Sequence, residues 1–419
     1  MTKTEQNIAN LYETLISDGY FRDDNGDINM SVEQFGENLR KEKIAKTFYA
    51  NLLDDGYFRD GEEILLSEED FLKRVGVIKE KRAYYPLSSN QMGLYFDWEM
   101  NPETTQYNTP SLKKYAKGKI DADRLCQALQ AAFKAHPSLA TTFNVQEDEV
   151  VQFPHEDAQL EVAHIVLNSE PDLAYFQSKV RPFNLKEDCL CRAEVIETPK
   201  YIYLFTDTHH IVTDGVSEII FNAAVDTAYM GGEPETETLD FYDYAVSEEE
   251  LSSSNAYQEA EQYYDGLLGG IESVVYPHSS TLDNSSTRNV ELRTTIDGAA
   301  IDAFCEKTGV TENAYYMAAF LQVLHRVTRE ESVLISTINN GRSRAELMNT
   351  IGMFVKTLPI VSTLPEKGAG NITVVDYATQ FQQQYLNAVQ RDFYPFSDIV
   401  KRHGIHPDMM YNSRMLLEP

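Results

Sequence analysis

His209-His210-Ile211-Val212-Thr213-Asp214-Gly215 decides the reading of this chain. The segment follows Tyr201-Ile202-Tyr203-Leu204-Phe205, an apolar run of strand character. It precedes Ile219 to Tyr229, whose apolar spacing predicts a helix. A strand-to-helix loop displays side chains at the edge of a cleft, where reactive groups are often found. Neighbouring residues of an extended chain point to opposite sides, so one histidine can face a cavity while the other faces the core. Histidine changes charge near neutral pH and suits the work of a general base. An aspartate four residues later is placed to fix the loop through an ion pair. The glycine lets a ligand approach the backbone closely. No third His, Cys or Glu stands at a usual metal-ligand spacing, so no metal site is read here.

Strand and helix patterns alternate on both sides of this loop. Leu125 to Phe133 reads as an amphipathic helix and Tyr257 to Leu268 as another. Ser247 to Asn255, acidic and serine-rich, reads as irregular, as does the polar stretch Ser279 to Arg288. Together these two stretches mark a seam between two lobes, residues 84–255 and 256–419. Beyond the seam, Ile301 to Cys305, Ala314 to Val327, Val333 to Ile338, Thr373 to Val389 and Phe396 to Arg402 continue the alternation. The predicted architecture is α/β in its mixed α+β form, two lobes behind a small N-terminal region.

That region, residues 1–80, contains a tandem repeat over 11–40 and 48–75. Leu11-Tyr12-Glu13-Thr14-Leu15-Ile16-Ser17-Asp18-Gly19-Tyr20-Phe21-Arg22-Asp23 recurs 37 residues later as Phe48 to Asp60, with Tyr57-Phe58-Arg59 matching Tyr20-Phe21-Arg22. Each copy reads as a helix closed by a glycine, a hairpin turn, and a second helix opened by a serine cap. The acidic turn Asp23-Asp24-Asn25-Gly26-Asp27 lacks the spacing of a calcium loop, because position twelve would be Val32. A unit this small reads as an interaction module.

Composition limits the partners. There are 66 acidic against 36 basic side chains, a net charge of −30. That excess argues against nucleic acid, whose phosphates need clustered Lys and Arg. It argues equally against an anionic membrane surface. No apolar run reaches the 18 or more residues of a membrane span, and the N-terminus lacks an apolar signal core. Cys126, Cys189, Cys191 and Cys305 read as reduced thiols of a cytoplasmic protein.

Further segments keep company with the His209–Gly215 loop in a fixed order. They are Ser88-Ser89-Asn90-Gln91-Met92-Gly93-Leu94-Tyr95, Ala135-His136-Pro137-Ser138-Leu139-Ala140-Thr141-Thr142-Phe143, Asp240-Phe241-Tyr242-Asp243-Tyr244-Ala245-Val246, Ile351-Gly352-Met353-Phe354-Val355-Lys356-Thr357-Leu358 and Arg391-Asp392-Phe393-Tyr394-Pro395-Phe396. With the loop read as HHxxxDG, the chain from Tyr84 to Arg414 resembles the condensation domains of non-ribosomal peptide synthetases. The resemblance implies two chloramphenicol-acetyltransferase-like lobes in a V, with a tunnel between them. It implies that an acceptor amine attacks a donor thioester, each held on the phosphopantetheine arm of a carrier protein. The arms belong to the upstream and downstream carriers, and this chain binds no cofactor of its own. His210 would deprotonate or orient the amine. His209 and Asp214 would be structural, and the Gly215 backbone N–H would border the donor path and face the developing oxyanion. Ser88, Gln91, His136, Tyr242, Asp243, Gly352, Phe354, Lys356, Asp392 and Pro395 would line the tunnel or build its walls.

The chain departs from that pattern. Ala135 and Ala140 stand where the second motif has arginines, so the charge partner of Asp214 is sought in Arg342 or Arg344. Lys356 replaces an asparagine. The loose match of Asn412-Ser413-Arg414-Met415 to the last motif predicts a truncated second lobe. The same fold also serves epimerisation and ester formation, or acts as a non-catalytic platform. Residues 1–80 resemble tubulysin-type N-terminal docking domains, which pair with the C-terminal tail of an upstream synthetase by strand addition. In that role Tyr20, Phe21, Arg22, Tyr57, Phe58 and Arg59 are the contact candidates. This region holds 10 basic and 18 acidic residues, so a tail rich in Lys or Arg would suit it.

Overall fold

The computed structural model describes residues 3–22, 26–39, 41–61, 63–77, 82–271, 294–364 and 372–412. It divides into two compact units, Met1–Tyr85 and Pro86–Pro419.

The smaller unit is built from the repeat. Its helices are α1 (Lys3–Ser17), α2 (Val32–Leu39), α3 (Glu42–Asp54) and α4 (Glu68–Arg74), with strands β1 (Arg59–Asp60) and β2 (Glu63–Ile64) between α3 and α4. The first copy has a single bridge, Arg22 to Ile28, where the second has the β1–β2 pair. Each copy contributes equivalent residues to one core. Leu15 and Leu52 are fully buried, and Tyr12 and Tyr49 donate their hydroxyls to Met30 O and Leu66 O. Phe21 and Phe58 adopt left-handed backbone, φ +56° and +59°, unusual for bulky residues. This turns each ring flat against Tyr12 or Tyr49, at 6.0 Å in both copies. The copies then grip each other reciprocally: Tyr20 donates to Asp55, and Tyr57 donates to Asp18. The two tyrosine rings meet edge to face at 6.0 Å. Residue i of one copy meets j of the other and the reverse, the arrangement of a symmetric dimer formed within one chain. The bond to Asp18 pushes the Tyr57 hydroxyl up to about 12. The six docking candidates therefore divide: Arg22 and Arg59 are exposed, while the four aromatic side chains are half-buried in contacts inside the unit.

A two-residue strand, β3 (Tyr85–Pro86), stands at the junction. In the larger unit, β4 (Ser111–Ala116), β7 (Val162–Val166), β8 (Cys191–Glu197) and β9 (Tyr201–Thr208) form a sheet in the order β4-β9-β8-β7. β9 is central, and the two faces of its apolar run enter different cores. Ile202 and Leu204 join the cluster under helices α6 (Ala122–Ala135) and α8 (Gly215–Tyr229), while Tyr203 and Phe205 pack with Phe176 of α7 (Leu173–Gln177) on the other side. That double covering explains why the run is continuous instead of alternating. Strands β5 (Thr141–Gln146) and β6 (Glu149–Pro154) pair as a hairpin after the turn Pro137–Ala140. The second half centres on β10 (Ser332–Asn339), antiparallel to β11 (Lys356–Thr363) and parallel to β12 (Met410–Tyr411). Helices α12 (Glu312–Thr328) and α13 (Val374–Val389) cover one face, with Phe304 of α11 (Gly298–Thr308) packed against them. α10 (Asn255–Leu268) and α14 (Phe396–His403) cover the other.

One expectation is corrected. Ser247 to Asn255 is not an irregular seam: α9 (Phe241–Ser252) runs through Ser247 and Glu248, and both are buried. Glu248 sits inside because a lysine from the second half meets it there. The stretch Ser279–Arg288 and residues 413–415 of the last motif lie outside the described residues. Among the described residues, no helix is long and apolar enough to cross a membrane.

Candidate active site

β9 ends at Thr208 and the chain turns immediately. His209 caps a short 3-10 turn, His210–Val212, and its Nδ1 accepts the Ile211 backbone N–H at 3.2 Å. Its own N–H donates to Leu190 O at 2.9 Å, and Phe183 meets the ring edge to face. The ring is 2% exposed. Burial, helped by the neighbouring His210 and Arg192, pushes its pKa down to about 3. His209 is therefore a neutral structural imidazole with Nδ1 as acceptor. Two residues earlier on the same strand, buried Asp207 accepts from Asn108 at 2.7 Å, and burial pushes its carboxyl up to about 6.

His210 is held differently. Its backbone N–H donates to Tyr107 O at 2.8 Å, which anchors the main chain. The side chain is half-exposed, and its Nδ1 is buried with no hydrogen-bond partner among the described residues. No side-chain partner commits this ring to a structural bond. Directly after it, Ile211 O accepts the side-chain amide of Gln91 at 3.1 Å. Gln91 closes a capping box with Ser88 at the start of α5 (Ser89–Met100), and both are buried.

Asp214 caps α8 and receives five hydrogen bonds. Oδ1 takes Ser217 N–H at 2.8 Å, Ser217 Oγ at 2.8 Å and Arg342 Nη2 at 3.0 Å. Oδ2 takes Arg342 Nη1 at 2.7 Å and Phe354 N–H at 3.2 Å. Arg342, from the second half of the unit, is thus bidentate on a carboxylate in the first, and neither side chain is exposed to solvent. It lies 4.3 Å over the Phe354 ring and also donates to Thr350 O. Arg344 is not the partner; it donates to Ser247 Oγ at 3.3 Å. Gly341 makes this possible: it has φ +67°, and a Cβ there would fall 2.0 Å from Phe354 O. Gly215 opens α8, exposed, with nothing within 4 Å of where a Cβ would sit. Packing within the chain does not demand a glycine at that position.

The other motif residues are held in contacts of their own. His136 is fully buried and bonds Glu237 Oε1 at 2.8 Å, and the same oxygen accepts Ile351 N–H at 2.9 Å. Tyr242 OH lies 2.7 Å from Thr141 Oγ1 and donates to Pro137 O. Asp243 donates its backbone N–H to the α9 cap Asp240. Gly352 lets Phe241 pass, since a Cβ would fall 1.9 Å from its ring, and Phe241 meets Phe354 edge to face at 4.9 Å.

A family model for the condensation domain matches residues 81–414. The chain belongs to the condensation-domain family. It is 27% identical over 341 residues to tyrocidine synthase 3 of Brevibacillus parabrevis, covering 80% of this chain and 5% of that protein. It is 30% identical over 342 residues to bacitracin synthase 1 of Bacillus licheniformis, covering 80% of this chain and 6% of that one. The chain thus spans a small fraction of the synthetases it matches. Among solved structures, the first condensation domain of the calcium-dependent antibiotic synthetase aligns over 80% of both chains, with TM-score 0.63 and 17% identity. The fold is accordingly the two-lobed, chloramphenicol-acetyltransferase-like fold of condensation domains from non-ribosomal peptide synthetases.

Within this condensation domain the remaining candidates lie away from His210's own contacts. Asp392 accepts from Asn339 Nδ2 at 2.9 Å, and burial raises its pKa. Pro395 caps α14. Lys356 is 3% exposed and forms an ion pair with Glu248. Burial opposes its charge, but Tyr244 and Glu248 outweigh that and raise its pKa. Sequence reasoning missed Ser217, Glu237 and Glu248. An Asp-x-x-Ser cap signalled the first; Glu237 and Glu248 carried no local signal, because their partners are distant in the chain.

Proposed function

We propose that this condensation domain forms an amide bond between a donor acyl thioester and an acceptor aminoacyl thioester, each carried on the phosphopantetheine arm of a carrier protein. The observation that carries the reading is His210: a half-exposed imidazole with no side-chain partner, on a loop pinned by Tyr107, Gln91 and the Asp214–Arg342 pair. Such a ring is free to accept a proton from, or orient, an attacking amine. His209 keeps the turn, and Asp214 ties the loop to the second lobe. Gly215, at an open helix start, leaves room for a donor arm beside the α8 backbone. The test is amide formation from loaded carriers by the wild-type chain and by His210→Ala. A fall on the order of 10²- to 10⁴-fold is expected for loss of a general base. Equal rates would sink the role of His210 and favour a recruiting platform.

The N-terminal unit serves, in the same proposal, as a docking module for the C-terminal tail of an upstream synthetase subunit. Support comes from its local acidity and its two exposed hairpin isoleucines, Ile28 and Ile64 at 53% and 51% exposure. Removal of residues 1–80 is expected to weaken binding to that subunit while carriers supplied separately are still condensed. Undiminished binding refutes the docking role.

A further inference from the structure

Lys356 opens β11 as a buried charge. Besides its ion pair with Glu248, its Nζ lies 3.5 Å from Ser89 Oγ. Glu248 Oε2 accepts the Ser89 backbone N–H at 2.6 Å, and Oε1 accepts the Tyr244 hydroxyl at 3.1 Å. Ser89 is the first residue of α5. The next residue, Asn90, donates to Val355 O, directly before Lys356. The one after that, Gln91, donates to Ile211 O, directly after His210. Three successive residues at one helix start therefore reach Glu248, the entrance of β11 and the His210 loop.

We propose that the Lys356–Glu248 pair is a positioning device for His210: it clamps the N-terminus of α5 against the second lobe, and Gln91 passes that position to the His210 loop. A buried pair with one partner on each side holds a single geometry, because any displacement leaves a charge uncompensated in a low dielectric. The first turn of a helix is short and stiff, so a shift at Ser89 is carried to Gln91 two residues away. Lys356 and Glu248 form one unit. Asparagine, the residue usual at this place in the motif, could not neutralise Glu248. Restoring the usual residue alone is therefore expected to harm this protein.

The inference rests on the reading of His210 as the reacting base, and the test separates the two. The full chain is compared with Lys356→Asn and with two neutral double variants, E248Q/K356M and E248A/K356M. The doubles differ in whether Ser89 N–H keeps an acceptor. Two readouts are taken: kcat and KM for amide formation with loaded carriers, and the imidazole signals of His210 by ¹⁵N-histidine NMR without substrate, assigned with His210→Ala. Lys356→Asn is expected to lower kcat on the order of ten-fold or more, as a misplaced reacting group does. KM should change little, and the His210 signal should move. E248Q/K356M removes the stranded charge but keeps an acceptor for Ser89 N–H, so it recovers kcat and the His210 signal part of the way from Lys356→Asn, whereas E248A/K356M does neither; a fully wild-type E248Q/K356M would show that the pair does no positioning and would overturn the proposal. Identical His210 signals and kcat in the two doubles overturn the proposal, as does a kcat for Lys356→Asn at or above wild type. Absence of product from the wild-type chain counts against the amide-forming reaction, and the substrate-free His210 signals still decide the positioning.

Discussion

Arg342→Met isolates the contact that joins the two halves at the His209–Gly215 loop. The substitution keeps most of the side-chain volume over Phe354 and removes two charge-assisted bonds to Asp214, at 2.7 and 3.0 Å. Asp214 retains Ser217 and Phe354 as donors but loses its counter-charge, in a place where neither partner is exposed to solvent. Removing one member of a buried pair costs about 3–5 kcal/mol, mostly as the penalty of the charge left behind. Asp214→Asn together with Arg342→Met removes the stranded charge; the asparagine oxygen still accepts from Ser217, while its Nδ2 faces the Phe354 N–H, so the penalty is relieved in part. The double variant is expected to recover about 1–3 kcal/mol relative to Arg342→Met. Urea unfolding followed by tryptophan fluorescence suits the measurement. Trp98 is the one tryptophan in the chain, and at 4% exposure in the larger unit it reports on that unit. A loss below about 1 kcal/mol for Arg342→Met would be the size of an exposed pair and would refute the reasoning. So would a double variant no more stable than Arg342→Met.

Three further predictions use the same unfolding assay or amide exchange. His209 and Asp207 have opposite pH signatures. The native fold keeps His209 neutral down to about 3 against an ordinary 6.5, so its contribution is present above pH 6.5 and is lost as pH falls from there, by about 1.4 kcal/mol per unit. Asp207, raised to about 6 from 3.8, keeps its proton in the fold, so its contribution is lost as pH rises across that window. The two slopes offset each other between about pH 4 and 6, and His209→Asn should expose the fall with rising pH; equal slopes in both proteins would count against the buried neutral ring. Gly352→Ala drives a Cβ into the Phe241 ring and is expected to cost about 3 kcal/mol or more, read from the urea midpoint; an unchanged midpoint is incompatible with the packing. Tyr20→Phe and Tyr57→Phe each remove one of the two reciprocal bonds in the N-terminal unit, so amide exchange in α1 and α3 should quicken to similar extents; a strong effect from one alone contradicts the internal two-fold relation.

Much of the site was legible because it is local. The strand, loop and helix around His209–Gly215 follow from apolar spacing and a capping aspartate, and the structure places β9 and α8 on those positions. The tandem repeat was visible as identity at a fixed offset. Its mutual grip was not, since Tyr20 and Asp55 lie 35 residues apart and nothing in either copy names the other. The same limit hid α9 in the serine-rich stretch. Acidic and serine residues read as solvent-facing until a buried lysine 108 positions away accounts for Glu248.

By itself the sequence determined the fold class, the family, the order of motifs and the histidine with chemistry to offer. These rest on patterns within short windows, where period, cap and turn chemistry act between near neighbours. Only the tertiary structure decided which of two arginines neutralises Asp214, that Gln91 holds the carbonyl after His210, and that Lys356 departs from the motif in company with Glu248. Those choices depend on which side chains reach the same buried point from different elements. Burial there makes an unmatched charge costly enough that partners must meet, and no spacing along the chain records the meeting.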